Sequence, residues 1–172
     1  MDYLYNYPCI GVWVPFNERW GQFKTEDIAT WTKKYDPSRL VNPASGGNHF
    51  PCGDILDLHH YPNPSLDFYD AGRATVLGEY GGLALNEHLW EPNHNWGYVK
   101  FNSPEEVTKQ YVEYGNELYR LISRGFSAAV YTQTTDVEME VNGLMTYDRK
   151  VIKVNEAQVK AINTKICNSL NK

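Results

Sequence analysis

Five short apolar runs, each closing on polar residues and each followed by room for a helix or a long loop, constrain this 172-residue chain most. Ile10-Gly11-Val12-Trp13-Val14 is β-branched and aromatic and stops at Pro15, which predicts a buried strand. Residues 39–43, 54–60, 74–79 and 127–132 repeat that pattern. Between them, Thr25 reads as the N-cap of a helix whose apolar stripe is Ile28, Ala29, Trp31 and Thr32. Residues 65–72 read as a short helix, and 81–102 as a long loop. Ser103-Pro104-Glu105-Glu106 is a strong helix start, with Ser at the N-cap, Pro next and acids in the first turn. That helix is expected to run to about residue 123, and a last one from 156 to 170.

Strands alternating with helices predict a parallel α/β architecture, either a doubly wound sheet or a (β/α)₈ barrel. No glycine-rich phosphate loop follows the first strand, which weakens the nucleotide-binding sheet. In a barrel, functional groups gather at the C-terminal strand ends. The polar residues of this chain fall there: Asn17-Glu18, His59-His60-Tyr61, Glu79-Tyr80 and Gln133. The expected fold is therefore a (β/α)₈ barrel, present in part.

Composition narrows the partners. A net charge of -5 with no basic run argues against nucleic acid and against an anionic membrane surface. No apolar run reaches the ~20 residues that span a bilayer. Aromatic residues make up 14%, too many for a disordered polar chain. Cys9, Cys52 and Cys167 are widely spaced and form no CxxC pair, so no disulfide framework or zinc site is indicated. Asp136, Glu138 and Glu140 lack calcium-loop spacing and read as a solvated loop. Neither a cofactor nor a metal is expected.

Glu18 and Glu79 stand out because each follows an otherwise apolar strand. Two carboxylates about 5–5.5 Å apart suit retaining glycoside hydrolysis, one attacking the anomeric carbon and the other exchanging a proton. Each alone is as readily a solvent-facing loop acid. His59 and His60 are adjacent, so on a strand they face opposite ways and only one lines a site easily. Two such histidines do not converge on a metal, and no third ligand is evident beside them. Trp20, Trp90 and Trp96 are loop candidates for stacking on sugar faces or for packing on the rim, while Trp13 reads as core.

Val12-Trp13-Val14-Pro15-Phe16-Asn17-Glu18-Arg19-Trp20-Gly21-Gln22 resembles the acid/base strand of glycoside hydrolase family 2, which includes β-galactosidases and β-glucuronidases. Asp36-Pro37-Ser38-Arg39-Leu40-Val41 resembles the segment that follows it there, and Gly78-Glu79-Tyr80-Gly81-Gly82 the nucleophile strand. The resemblance implies a retaining exo-glycosidase acting on β-linked glycosides, with Glu18 as acid/base and Glu79 as nucleophile. It implies that Asn17 bonds the sugar 2-hydroxyl and that Tyr61 steadies Glu79. Family members carry a Trp platform at the end of the last strand; here Tyr131 or Gln133 stands in its place. The alternative is a non-catalytic carbohydrate-binding module using the loop aromatics, which would require neither glutamate.

A full barrel takes about 250 residues, roughly 31 per strand–helix unit. The resemblance places the first strand here fourth and the last eighth, so residues 1–172 read as the C-terminal portion of a glycosidase barrel with Met1 a truncated start. The N-terminal barrel half and β-sandwich domains of a parent would be missing. Open strand edges then predict self-association, and the isolated chain is expected to be inactive. Family habit points to the periplasm or the cell exterior rather than the cytoplasm.

Overall fold

Every ladder between strands in the computed structural model, which describes residues 1–87 and 94–170, is parallel. β1 (Val12–Trp13) pairs with β2 (Leu40–Val41), and an Asn17–Ser45 bridge prolongs that ladder. β3 (Ile55–His59) and β4 (Ala74–Gly81) pair with each other, and β7 (Phe126–Thr132) lies on the far side of β4. The Asp54 N–H donates to the Val41 carbonyl (2.8 Å), and the Asp54 carboxylate accepts from the Val41 N–H, also at 2.8 Å. These bonds join β2 to the start of β3, so the strands follow one another in chain order. Helices alternate with them: α1 (Thr25–Tyr35), α2 (Pro104–Ile122) and α3 (Glu156–Cys167). The chain is thus a mixed α/β fold with parallel sheets, as expected of a partial barrel.

Four details depart from the sequence reading. The α1 N-cap is Lys24, in the left-handed region at φ 45°; Thr25 lies inside the helix, where its hydroxyl donates to Gln22 Oε1. The buried stripe of α1 is Thr25, Ala29 and Thr32, whereas Trp31 is exposed and stacks on Tyr35. Residues 65–72 form no helix, because Ser65 bonds Asp67 and Asp70 bonds the Gly72 N–H, local bonds that compete with helical ones. The segment expected as loop contains two short paired strands, β5 (Leu83–Ala84) and β6 (Val99–Lys100).

Two polar networks explain sequence features that looked arbitrary. The Asp36 carboxylate accepts from the Trp13 indole (2.9 Å), the Ser38 hydroxyl (2.5 Å) and the Arg39 guanidinium (2.5 Å). The Ser38 bonds, then those of Trp13 and Arg39, hold that carboxyl well below the usual carboxylate range. Asp136 is not a solvated loop acid: it is buried and bound by the Lys153 ammonium at 2.6 Å. Lys153 also donates to the carbonyls of Leu85 and Val141, so all three of its protons have acceptors.

The main core forms where α2 covers β4 and β7. Val107, Tyr111, Tyr114, Leu118 and Leu121 share one helical face and meet Leu77, Tyr80, Phe126 and Ile162. Each such side chain contributes about 1.5–3 kcal/mol on burial. Ser103 caps α2 by accepting from the Glu106 N–H, as its sequence foretold. At the outer strands, Val14 and Val130 remain 48% and 55% exposed. No helix among the described residues is long and apolar enough to cross a membrane.

Candidate active site

The strand ends converge because the ladders are parallel, and two local distortions complete the approach. Between β3 and β4 the register slips after Leu58, so that Leu58 faces Leu77 but His59 faces Glu79. Gly78 is the extra residue, and its N–H donates to Asp57 Oδ1 at 2.8 Å. This bulge re-aims Glu79 toward His59, a common use of bulges near sites. After β1, Glu18 sits in the left-handed region at φ 56°, which costs a non-glycine residue about 1–2 kcal/mol. The Glu18 N–H donates to the Ser45 carbonyl (2.7 Å), and the Gln22 amide holds the carbonyls of Glu18 (2.5 Å) and Gly47 (3.2 Å). Those bonds offset the strain and turn the Glu18 side chain to the cluster.

His59 Nδ1 lies 3.4 Å from Glu18 Oε1 and 3.2 Å from Glu79 Oε2. Its Nε2 is 2.8 Å from the Ser45 hydroxyl. An Nδ1 between two carboxylates carries a proton, so Ser45 donates to Nε2 when the ring is neutral. Gly46 (φ 70°) gives the imidazole its place, since a Cβ there would stand 2.5 Å from His59 Cγ. Glu79 Oε2 also lies 2.7 Å from the Tyr61 hydroxyl, which is 2.7 Å from Thr132 Oγ1. With one proton to give, the phenol donates to the carboxylate and accepts from the threonine. Burial pushes the Tyr61 phenol well above its ordinary range; the Glu79 carboxylate adds to the rise and the Thr132 bond opposes it.

Glu18, His59 and Glu79 each offer one donor atom, all within 4.8 Å of one another. A divalent cation could share that spacing, so His59 does have further ligand-type groups beside it, contrary to the sequence reading. The donor atoms of His59 and Glu79 already take part in hydrogen bonds within the cluster. Chemically, the group holds two carboxylates close together, one gripped by a phenol and both touching an imidazole.

The remaining sequence candidates divide. Asn17 is exposed at the end of β1, its backbone bridged to Ser45. His60 turns to its own loop, where Nδ1 donates to the Asn63 carbonyl at 2.6 Å, so of the two histidines His59 joins the carboxylates. Trp20 is 87% exposed on a groove of about 500 Å³ that also meets Glu18 and His59. Trp90 lies outside the described residues. Gln133 spends its amide on Glu140 (2.9 Å) and Asn142 (2.8 Å). The Tyr131 ring packs against Tyr80 and Tyr111 under α2, at the edge of the core. Ser45 and Thr132 join the cluster although neither was singled out by sequence; their only signal was a hydroxyl at a strand end.

No family model matches the chain, and no curated protein matches it. Solved structures do. PfGH50B superposes with a TM-score of 0.63 at 16% identity over 86% of this chain and 24% of its own. An exo-β-agarase gives 0.61 at 15% identity, over 84% of this chain and 22% of that one. A β-glucuronidase of an uncultured Clostridium species gives 0.59 at 14% identity, over 95% and 33%. The chain therefore spans about a quarter to a third of the solved structures it resembles, and it shares the fold of that part of them.

Proposed function

We propose that this chain carries the carboxylate pair of a retaining glycoside hydrolase acting on β-linked glycosides, of the family 2 type. One observation carries the reading: Glu18 and Glu79 meet at a single imidazole with their facing oxygens within 4.8 Å. That favours the close spacing of retaining enzymes over the ≈ 6.5–9.5 Å that leaves room for water in inverting ones. The glycosidase-like fold adds support.

In this reading Glu79, ionised and oriented by Tyr61, attacks the anomeric carbon. Glu18 gives its proton to the leaving oxygen as the glycosidic bond breaks. The product is a glycosyl ester on Glu79. Glu18, now a carboxylate, takes a proton from water, whose oxygen attacks the same carbon and frees Glu79. A carbohydrate-binding module would need neither carboxylate, so the convergence of both speaks for catalysis.

We also read residues 1–172 as the C-terminal strand–helix units of a larger barrel, so that turnover by the chain alone is slow. The test suits that limit. An aryl β-glycoside incubated with a stoichiometric amount of protein and followed by proton NMR is expected to release the β-anomer first. Initial release of the α-anomer contradicts a retaining mechanism.

A further inference from the structure

The end of β7 brings no aromatic ring to the carboxylates. Thr132 is engaged by Tyr61, and the Tyr131 ring lies on the helical side. An aromatic surface is built there from another segment. Tyr98 donates its N–H to the Gly82 carbonyl (3.0 Å), and Trp96 its N–H to the Met139 carbonyl (2.9 Å). The Val141 N–H in turn donates to the Trp96 carbonyl at 3.1 Å. So anchored, the Tyr98 ring stacks on Tyr61 at 3.7 Å and 4°, and Trp96 meets Tyr98 edge-on at 5.4 Å and 72°. Gly82 (φ 66°) makes the approach possible, since a Cβ there would stand 2.4 Å from Tyr98 Cδ2.

Both rings nevertheless stay open, Tyr98 at 48% and Trp96 at 38% exposure. Rings fixed by backbone bonds yet left uncovered suit a ligand with one flat C–H face, and a pyranose presents such a face. Their surroundings also carry a sign. Besides burial, the groups that push the Tyr98 phenol upward are Glu18, Glu79 and Glu140, all carboxylates. The phenol therefore stays protonated at neutral pH and has an O–H to donate.

We propose that Trp96 and Tyr98 form the platform for the sugar ring undergoing cleavage, and that this ring is an uncharged hexopyranose. A uronic acid would bring a fourth carboxylate beside three. This deepens the hydrolase reading above and rests on it.

Saturation-transfer NMR and calorimetry on the 172-residue chain test it, using methyl β-D-galactopyranoside, methyl β-D-glucopyranoside and methyl β-D-glucuronide. At least one neutral glycoside is expected to bind and the glucuronide to bind more weakly. Trp96→Ala is expected to weaken the neutral sugar about tenfold, the order that one stacked ring is worth, whereas Tyr98→Phe keeps most of the affinity. Trp96, at the exposed rim, carries the test if Tyr98→Leu unsettles the fold. Unchanged neutral-sugar binding in Trp96→Ala, tighter binding of the glucuronide, or no binding by the wild type overturns the proposal. Platform-dependent binding without covalent labelling of Glu79 by a 2-fluoro glycoside would instead defeat the hydrolase reading and leave Trp96 and Tyr98 as a sugar-binding platform without cleavage.

Discussion

The Tyr61 hydroxyl stands 2.7 Å from Oε2 of Glu79, and the two residues arrive there from adjacent parallel strands. The phenol fixes which oxygen of Glu79 is gripped. Removing it should separate orientation from folding. Tyr61→Phe is expected to slow covalent labelling of Glu79 by about a hundredfold, since a misplacement near 1 Å costs on that order. The loss of one hydrogen bond should move stability by only about 1 kcal/mol. Labelling kinetics beside a thermal melt give both numbers, and an unchanged labelling rate would refute the orienting role.

Lys153 and Asp136 form a buried pair with both partners nearly free of solvent contact. Burial pulls the Lys153 ammonium down from its ordinary value while Asp136 opposes that. Lys153→Met leaves the Asp136 carboxylate without its cation and should cost about 3–5 kcal/mol in a urea melt. The double variant Lys153→Met with Asp136→Leu should recover much of that loss. A single variant as stable as the wild type would show that the pair does not hold the 133–155 region to β5.

Alkaline stability follows from the buried phenols. Burial raises the Tyr80 and Tyr131 hydroxyls well above the ordinary value of 10. A folded-state value above the unfolded one means that their contribution is complete below pH 10 and is lost as pH rises beyond it. The loss is about 1.4 kcal/mol per phenol for each pH unit above 10. Melts between pH 8 and 11.5 should show this decline, and Tyr80→Phe should flatten it. An equal slope in the variant would contradict the assignment.

The outer strands bear on the state of the chain in solution. β1 and β7 each pair on one side only among the described residues, and Val14 and Val130 lie open beside them. Such edges favour pairing with another copy. Sedimentation velocity at rising concentration should show association, and Val130→Lys should reduce it. A strictly monomeric chain up to high concentration would contradict this.

How much of this was legible beforehand depends on scale. The strand ends could be read because an apolar run that stops on a Glu or His is visible in one dimension. The α2 cap could be read because Ser103, Pro104 and Glu106 act locally. The slip that sets His59 opposite Glu79 could not, since it arises from how β3 and β4 pair around Gly78. That the Tyr131 ring packs against Tyr80 and Tyr111 could not be read either, since it depends on how α2 covers β4 and β7. The roles of Trp96 and Tyr98 depend on β5 and β6, two-residue strands too short to carry a periodic signal.

In the proposed function Glu79 forms the covalent bond to the sugar. Incubation with an activated 2-deoxy-2-fluoro β-glycoside, followed by proteolysis and mass spectrometry, tests it with one chemical event per molecule. A single glycosyl adduct is expected on the peptide that contains Glu79, and none in Glu79→Gln. An adduct on another residue, or labelling that persists in Glu79→Gln, would contradict it.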